Sequence, residues 1–438
     1  MSVKRENIEK WSGLYNCLKY YVDFSLNCYY RITTVGKEKP DLKEPLIFVG
    51  NHQNALIDNL AILSLYNWQP VFLARSDIFK NKFHDRILTF LKMLPIFRIR
   101  DGYSALQEND AIFKKTIDVL QNHNGLVIMP EGNHLGKRRL RPLKKGVARI
   151  AFHAEEALEF KMGIKIVPVG FDYSDYKTVG STLLINIGEP VEVAPYIDLY
   201  RTNPAQAYNA LLQEISEAMK NVMLHIEDDD HYDEVFTLAE LALIRYKLNN
   251  KKVPDPEGFN VKKKRIAELE ELTKNSSAGY ELLIEKIKTF TTFLQQNKLK
   301  PAELLTVNTS MLWTVIQSLI LLATFPVFAF SFVNLILPLA LTRYASSRFP
   351  DHHFIASVRL VVGLVTFPVF FILQTILFGI ISGSLLHALA YFVTLPLSAI
   401  FVFHWREQFY LLRSKFKVLA MRIFKPAKFR QLINGINL

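Results

Sequence analysis

Two long stretches without a single Asp, Glu, Lys or Arg, Leu304 to Thr342 and Leu360 to Phe403, constrain this 438-residue chain more than any other feature. A helix crossing a bilayer takes about 20 apolar residues at about 1.5 Å each. The second stretch fits two such helices, parting near Gly379, Ser382, Gly383 and Ser384. The first is strongly apolar from Met311 to Leu341, long for one helix and short for two, and Pro326 and Pro338 are placed to break it. The loop with Arg343, Arg348 and Arg359 and the tail with Lys415, Lys417, Arg422, Lys425, Lys428 and Arg430 both carry the positive charge of a cytoplasmic face. An even number of crossings follows, so we expect transmembrane hairpins over 304–404, the first a candidate re-entrant loop, and a basic cytoplasmic tail over 405–438. Three plain spans are the alternative. Thr324-Phe-Pro-Val-Phe328 recurs as Thr366-Phe-Pro-Val-Phe370, a short echo of little weight in apolar sequence.

Before Leu304 the pattern differs. Residues 1–35 hold a helical stretch in which Trp11, Tyr20, Tyr21, Phe24, Tyr29 and Tyr30 mix with Lys19, Asp23 and Arg31, the composition of an aromatic helix at a membrane interface. From Pro45, short apolar runs alternate with helical patterns. The runs are Leu46 to Gly50, Pro70 to Ala74, Leu94 to Ile99, Gly125 to Met129, Ile164 to Val169 and Leu183 to Ile187. Such alternation predicts an α/β domain over 36–202. Residues 203–303 carry helical periodicity without strand signals and are expected to form a helical subdomain.

The formal charge of +12 alone admits nucleic acid, anionic lipid or acidic substrates as partners. Its cations cluster beside hydrophobic runs, which favours the lipid bilayer and argues against nucleic acid. Cys17 and Cys28 lack metal-ligand spacing, and Asp228 to Asp230 lack the spaced ligands and glycine of a calcium loop, so no metal and no cofactor are expected. The first ten residues are polar and mixed in charge, unlike a cleavable signal peptide.

Two segments carry chemistry. Gly50-Asn-His-Gln-Asn-Ala-Leu-Ile-Asp58 follows an apolar strand and offers a histidine with a carboxylate. Imidazole suits general-base work near neutrality, and a carboxylate on its far nitrogen fixes the tautomer. A regular helix would turn His52 and Asp58 about 240° apart, so the chain is expected to bend between them. Val127-Ile-Met-Pro-Glu-Gly-Asn-His134 places Glu131 on a turn ahead of Lys137, Arg138, Arg139, Arg141, Lys144 and Lys145, cations suited to a phosphate. Between them, Leu94 to Gly102 delivers Arg98 at the end of an apolar strand.

In order, Asn51, His52 and Asp58, then Pro95 to Arg98, then Pro130, Glu131 and Gly132, then Val167, Pro168 and Val169 resemble the four blocks of the phospholipid/glycerol acyltransferase family, over about residues 45 to 195. The resemblance implies an acyltransferase α/β domain with a mixed sheet, an acyl donor, and a cation-lined acceptor site. It also implies His52 as catalytic base with Asp58 as its partner. Five residues separate His52 from Asp58 where the common form has four, and Asn133-His134 stands where the common block has Thr-Arg. Both departures, with Pro142-Leu-Lys144 and Gly188-Glu-Pro190, are similar to the fungal-type glycerol-3-phosphate and dihydroxyacetone-phosphate acyltransferases. The missing arginine leaves the phosphate-binding cation open, with Arg98 and Lys144 ahead of Arg139, while Glu131, Gly132 and His134 join them as expected substrate-binding residues.

The expected activity is transfer of a fatty acyl group from acyl-CoA or acyl-carrier protein to glycerol 3-phosphate or dihydroxyacetone phosphate in phospholipid biosynthesis. Lysophosphatidate or another lysolipid is the alternative acceptor, and thioester hydrolysis an alternative reaction. A scaffold or transporter with an inactive domain is disfavoured because the apolar tracts lack the charges that mark transport paths.

Overall fold

The apolar runs after Pro45 form strands because neither face of the sheet they build is left to water. The computed structural model of the chain describes residues 5–97, 103–134, 136–250 and 252–438. Eight strands are seen: β1 (Tyr30–Val35), β2 (Leu46–Gly50), β3 (Val71–Arg75), β4 (Met93–Ile96), β5 (Leu126–Ile128), β6 (Lys165–Tyr173), β7 (Ser181–Ile187) and β8 (Val191–Glu192). Their order is β1-β7-β6-β2-β5-β3-β4, with β8 also on β6. From β6 to β4 every pairing is parallel, whereas β7 and β8 run antiparallel to β6, so the sheet is mixed.

Alternate side chains fill two cores. Ile47, Val49, Leu126, Ile128 and Ile166 face one, Leu46, Phe48, Val127, Val167 and Val169 the other. The first core is covered by α4 (Tyr103–Gln121), α5 (Gly146–Ala157) and α7 (Pro204–Val222), and the second by α1 (Gly13–Tyr29) and α2 (Leu56–Leu63). The short α3 (Lys82–Phe90) and α6 (Ile197–Thr202) complete the set. These elements belong to one compact unit, Met1–Met223, which also includes Phe349–Leu360.

Helix α1 buries Tyr15, Leu26 and Tyr29 and exposes Leu14, Tyr20 and Phe24, with Trp11 exposed just ahead of it. It thus packs on the domain with one face and presents an aromatic face outward. Two strands escape the sequence reading: β8 is very short, and β1 reads as a continuation of the aromatic helix. Helix α7 was expected in a helical subdomain, yet Ala207, Leu211, Ile215 and Met219 sit in the core against the sheet.

The second unit, Leu224–Arg348 with Val361–Leu438, is helical. It contains α8 (Tyr232–Asn249), α9 (Asp255–Asn275), α10 (Ser277–Gln296), α11 (Met311–Ser347), α13 (Leu385–Phe424), α14 (Pro426–Ile436) and all but the start of α12 (Ile355–Ser382). Among the described residues, three helices, α11, α12 and α13, of 37, 28 and 40 residues, are long and apolar enough to cross a membrane. The expected break of the first tract is absent. Helix α11 runs unbroken through Pro326 and Pro338, about 55 Å at the usual rise. Pro338 cannot donate to the carbonyl of Asn334, and Gln374 Nε2 donates to that oxygen instead, at 2.8 Å. Trp405 stacks on Phe328 at 4.0 Å and donates to Thr324, joining α13 to α11.

Gly170 marks where α7 meets the sheet, since a Cβ there would lie 2.0 Å from the Val222 carbonyl oxygen. Gly170→Ala is expected to cost about 3 kcal/mol, the upper range for overpacking. An unchanged melting temperature of the detergent-solubilised protein would contradict this packing.

Candidate active site

The parallel strands β2, β5 and β3 place their carboxyl ends along one edge of the sheet, the edge where open α/β folds bind ligands. Asn51 leaves β2 fully buried, its Oδ1 accepting the Phe171 N–H from β6 at 2.8 Å. This bond fixes the start of the loop that carries His52. The chain then bends: Ala55 has φ 44°, a region costly for a residue with a Cβ. Helix α2 begins only at Leu56, which puts Asp58 in its first turn. Ala55 has no side chain to cap this helix. The Leu56 N–H is taken instead by Ser357 Oγ at 3.1 Å, from a segment far along the chain.

Asp58 has no exposure to solvent. Its Oδ2 lies 3.0 Å from His52 Nδ1 and accepts the Gln53 and Asn54 N–H groups, each at 2.8 Å. The Tyr173 hydroxyl donates to Oδ1 at 2.7 Å. Burial, followed by the charge of Asp58, holds the Tyr173 phenol far above its ordinary range, so it remains a donor. A buried carboxylate with this many donors is an acceptor only, so the proton on His52 sits on Nδ1 and Nε2 keeps its lone pair. The His52 side chain is 16% exposed, so its ring is reachable from solvent.

Glu131 joins the second loop to the first. Its Oε1 accepts the His52 N–H at 2.9 Å, and its Oε2 faces the Arg141 backbone and guanidinium at 3.3 and 3.4 Å. Burial pushes its carboxyl up, and the bonds from His52 and Arg141 pull it back toward the charged form. The turn after it requires Gly132, at φ 73°. Arg138 is committed to the buried Asp172 and to the Tyr173 carbonyl, at 3.2 and 2.6 Å. Arg141 also donates to the Asn133 carbonyl.

His134 adds a second imidazole. Its ring stands edge-on to His52, centroids 5.6 Å apart, and its Nε2 lies 2.8 Å from Asp351 Oδ2. Burial pushes the Asp351 carboxyl up, but bonds from His134 and from the His353 N–H outweigh it and leave the group below its ordinary range.

The structure thus brings His52, Asp58, Glu131, Gly132 and His134 together. Lys144 is exposed beside that turn, its N–H donating to the Pro130 carbonyl at 2.8 Å, and Arg139 is half-buried on the same segment. Arg98 lies outside the described residues. Sequence reasoning missed Tyr173, Ser357 and Asp351, and also Arg75, which leaves β3 and donates to Asn133 Oδ1 at 3.2 Å. Arg75 directly follows the strand predicted over Pro70 to Ala74, the one signal that would have found it. Among the described residues, no group of three His, Cys, Asp or Glu side chains converges as metal ligands would.

Residues 31–172 match the family described as Acyltransferase. Glycerol-3-phosphate O-acyltransferase 1 of Saccharomyces cerevisiae is 26% identical over 147 residues, 33% of this chain and 19% of that protein. Glycerol-3-phosphate O-acyltransferase 2 of the same yeast is 29% identical over 129 residues, 29% of this chain and 17% of that one. The chain therefore aligns with less than a fifth of the length of these curated relatives. Among solved structures, the 1-acyl-sn-glycerophosphate (LPA) acyltransferase PlsC of Thermotoga maritima is 17% identical, with 50% of this chain and 83% of that one covered at a TM-score of 0.33.

The network around Asp58 has a thermodynamic signature. Asp58→Ala strands two backbone donors and a phenol in the interior, an expected loss of about 3–5 kcal/mol, whereas His52→Ala, at a partly exposed ring, is expected to cost under about 1 kcal/mol. Equal losses in thermal unfolding would contradict it. A histidine and carboxylate meeting across the bend after β2, with the Pro-Glu-Gly turn after β5 bonded to the same histidine, fall within residues 31–172, the segment that matches the family described as Acyltransferase.

Proposed function

We propose that this chain is a membrane O-acyltransferase that moves a fatty acyl group from acyl-CoA or acyl-carrier protein to glycerol 3-phosphate or dihydroxyacetone phosphate, in phospholipid synthesis. The observation that carries the reading is the His52–Asp58 pair, with Nδ1 held at 3.0 Å and Nε2 left as base. The names of the two yeast relatives support the choice of acceptor.

In this reading Nε2 takes the proton of the acceptor hydroxyl as its oxygen attacks the thioester carbonyl. The tetrahedral adduct collapses, the C–S bond breaks, and the imidazolium returns the proton to the departing thiolate. Ester and thiol are the products, with no covalent enzyme intermediate and no cofactor. Asp58 stabilises the imidazolium that forms between the two steps. Glu131 holds the backbone of His52 in place, and Lys144, Arg139 and Arg75 supply positive charge for the phosphate at this edge of the sheet.

Membrane attachment is supported by the apolar helices α11 to α13 and by the outward aromatic face of α1. The catalytic unit faces the cytoplasm in this proposal. The packing of Phe349–Leu360 in the same unit as Met1–Met223 supports an even number of crossings, or none, for the chain between Met223 and Phe349. In this reading α11 is not a single simple span.

Asp58→Asn is expected to lower turnover by about 10³- to 10⁴-fold and His52→Ala to abolish it, by analogy with the hydrolase triad. The test offers a radiolabelled acyl donor with glycerol 3-phosphate, dihydroxyacetone phosphate, lysophosphatidate or no acceptor. Transfer only to lysophosphatidate, or donor hydrolysis independent of acceptor, would overturn the reading. For topology, single cysteines at Asn308 and Arg348 in a chain lacking Cys17 and Cys28 are expected to react with an impermeant maleimide from the same side of sealed vesicles. Labelling from opposite sides would show one crossing.

A further inference from the structure

The segment Phe349–Leu360 follows the first apolar helix and lies outside the acyltransferase-matched residues, yet it packs in the catalytic unit. Its attachments are specific. Ala356 and Leu360 enter the core that holds Ile57 and Phe48. Ser357 caps α2, the helix carrying Asp58. Arg359 donates to the Lys177 carbonyl at 3.2 Å.

Its closest engagement is with His134. Asp351 Oδ2 meets His134 Nε2 at 2.8 Å, while Oδ1 accepts the His353 N–H at 2.9 Å, so the carboxylate is oriented from both ends. The rings of His353 and Phe354 close on His134 at 5.1 and 4.9 Å. A Cβ at Gly136 would lie 2.3 Å from the His353 ring, so this packing depends on a glycine. Two of the neighbouring cations are engaged elsewhere, Arg138 with Asp172 and Arg141 with Glu131.

We infer that Phe349–Leu360 is built into the active site, and that Asp351 is a positioning residue that holds His134 beside His52 as a cation for the acceptor's phosphate. The inference rests on the reading of the acceptor as phosphate-bearing. A carboxylate at hydrogen-bond distance from an imidazole favours its protonated form. The titratable and charged groups around His134 are His52, with Asp58 behind it, His353, Asp351, and the Arg141–Glu131 pair beyond Asn133. Asp351 meets His134 at the ring but His353 only at the backbone N–H, so His134 is the imidazole paired with the carboxylate, while burial holds His353 below the ordinary histidine range.

The test uses the full chain in proteoliposomes, with Asp351→Asn and Asp351→Glu compared from about pH 5.5 to about pH 8.5, the range in which histidine titrates. Asp351→Asn is expected to raise the KM for glycerol 3-phosphate about tenfold, equivalent to roughly 1.4 kcal/mol, with a much smaller change in kcat and in donor KM. The increase is expected to grow with pH, because the carboxylate that favours a protonated imidazole is gone, and Asp351→Glu is expected to restore part of the affinity. Diethyl pyrocarbonate reacts with neutral imidazole, so His134 labelling, read by peptide mass spectrometry, is expected to be faster in Asp351→Asn at about pH 6.5. Unchanged acceptor KM and unchanged labelling would overturn the inference, as would a loss of kcat alone that Asp351→Glu leaves uncorrected. If the unaltered chain transfers to no phosphate-bearing acceptor, the functional reading fails, and the labelling still decides whether Asp351 governs His134.

Discussion

Asp58 is the group on which the rest of the site depends. A carboxylate without solvent contact is tolerated only when its charge is met by donors, and here His52, Gln53, Asn54 and Tyr173 supply them. Those same bonds give the loop its shape. Two of them close the backbone around the carboxylate, the third brings the imidazole over it, and the strained Ala55 is held between these donors on one side and Asp58 on the other. The geometry that orients the imidazole and the energetics that stabilise the loop are therefore one arrangement.

The second loop is tied to the first through a single carboxylate. Glu131 bonds the His52 backbone and the Arg141 guanidinium, so positioning one fixes the other. Several basic residues of the segment that follows are thereby structural: Arg138 neutralises Asp172 inside the domain, and Arg141 closes the turn. A run of cations in sequence is thus divided by the fold into charges that hold the loops and charges left at the rim, such as Lys144.

Much of this was legible beforehand, for identifiable reasons. Strands β2 to β7 announce themselves because apolar runs buried on both faces have no other home in a soluble layer. The bend between His52 and Asp58 follows from helical rotation alone, and Leu56 begins α2 where that argument requires it. What escaped was long-range. Tyr173 lies on a strand whose alternation reveals which side chains share a face but not which carboxylate they meet. Ser357 and Asp351 lie beyond an apolar helix, where nothing local links them to the first loop. The continuity of α11 was missed because proline was read as a break, whereas a partner donor, Gln374, takes the place of the lost helical bond.

The catalytic unit is discontinuous in the chain, and this limits how it can be handled. An early stop codon between Met223 and Phe349 would leave every residue of the recognised acyltransferase segment intact, yet would take away the cap of α2 and the carboxylate facing His134. The apolar helices are thus not a detachable anchor. Grafting residues 1–223 alone onto another carrier would transplant a scaffold with one wall of its site left behind.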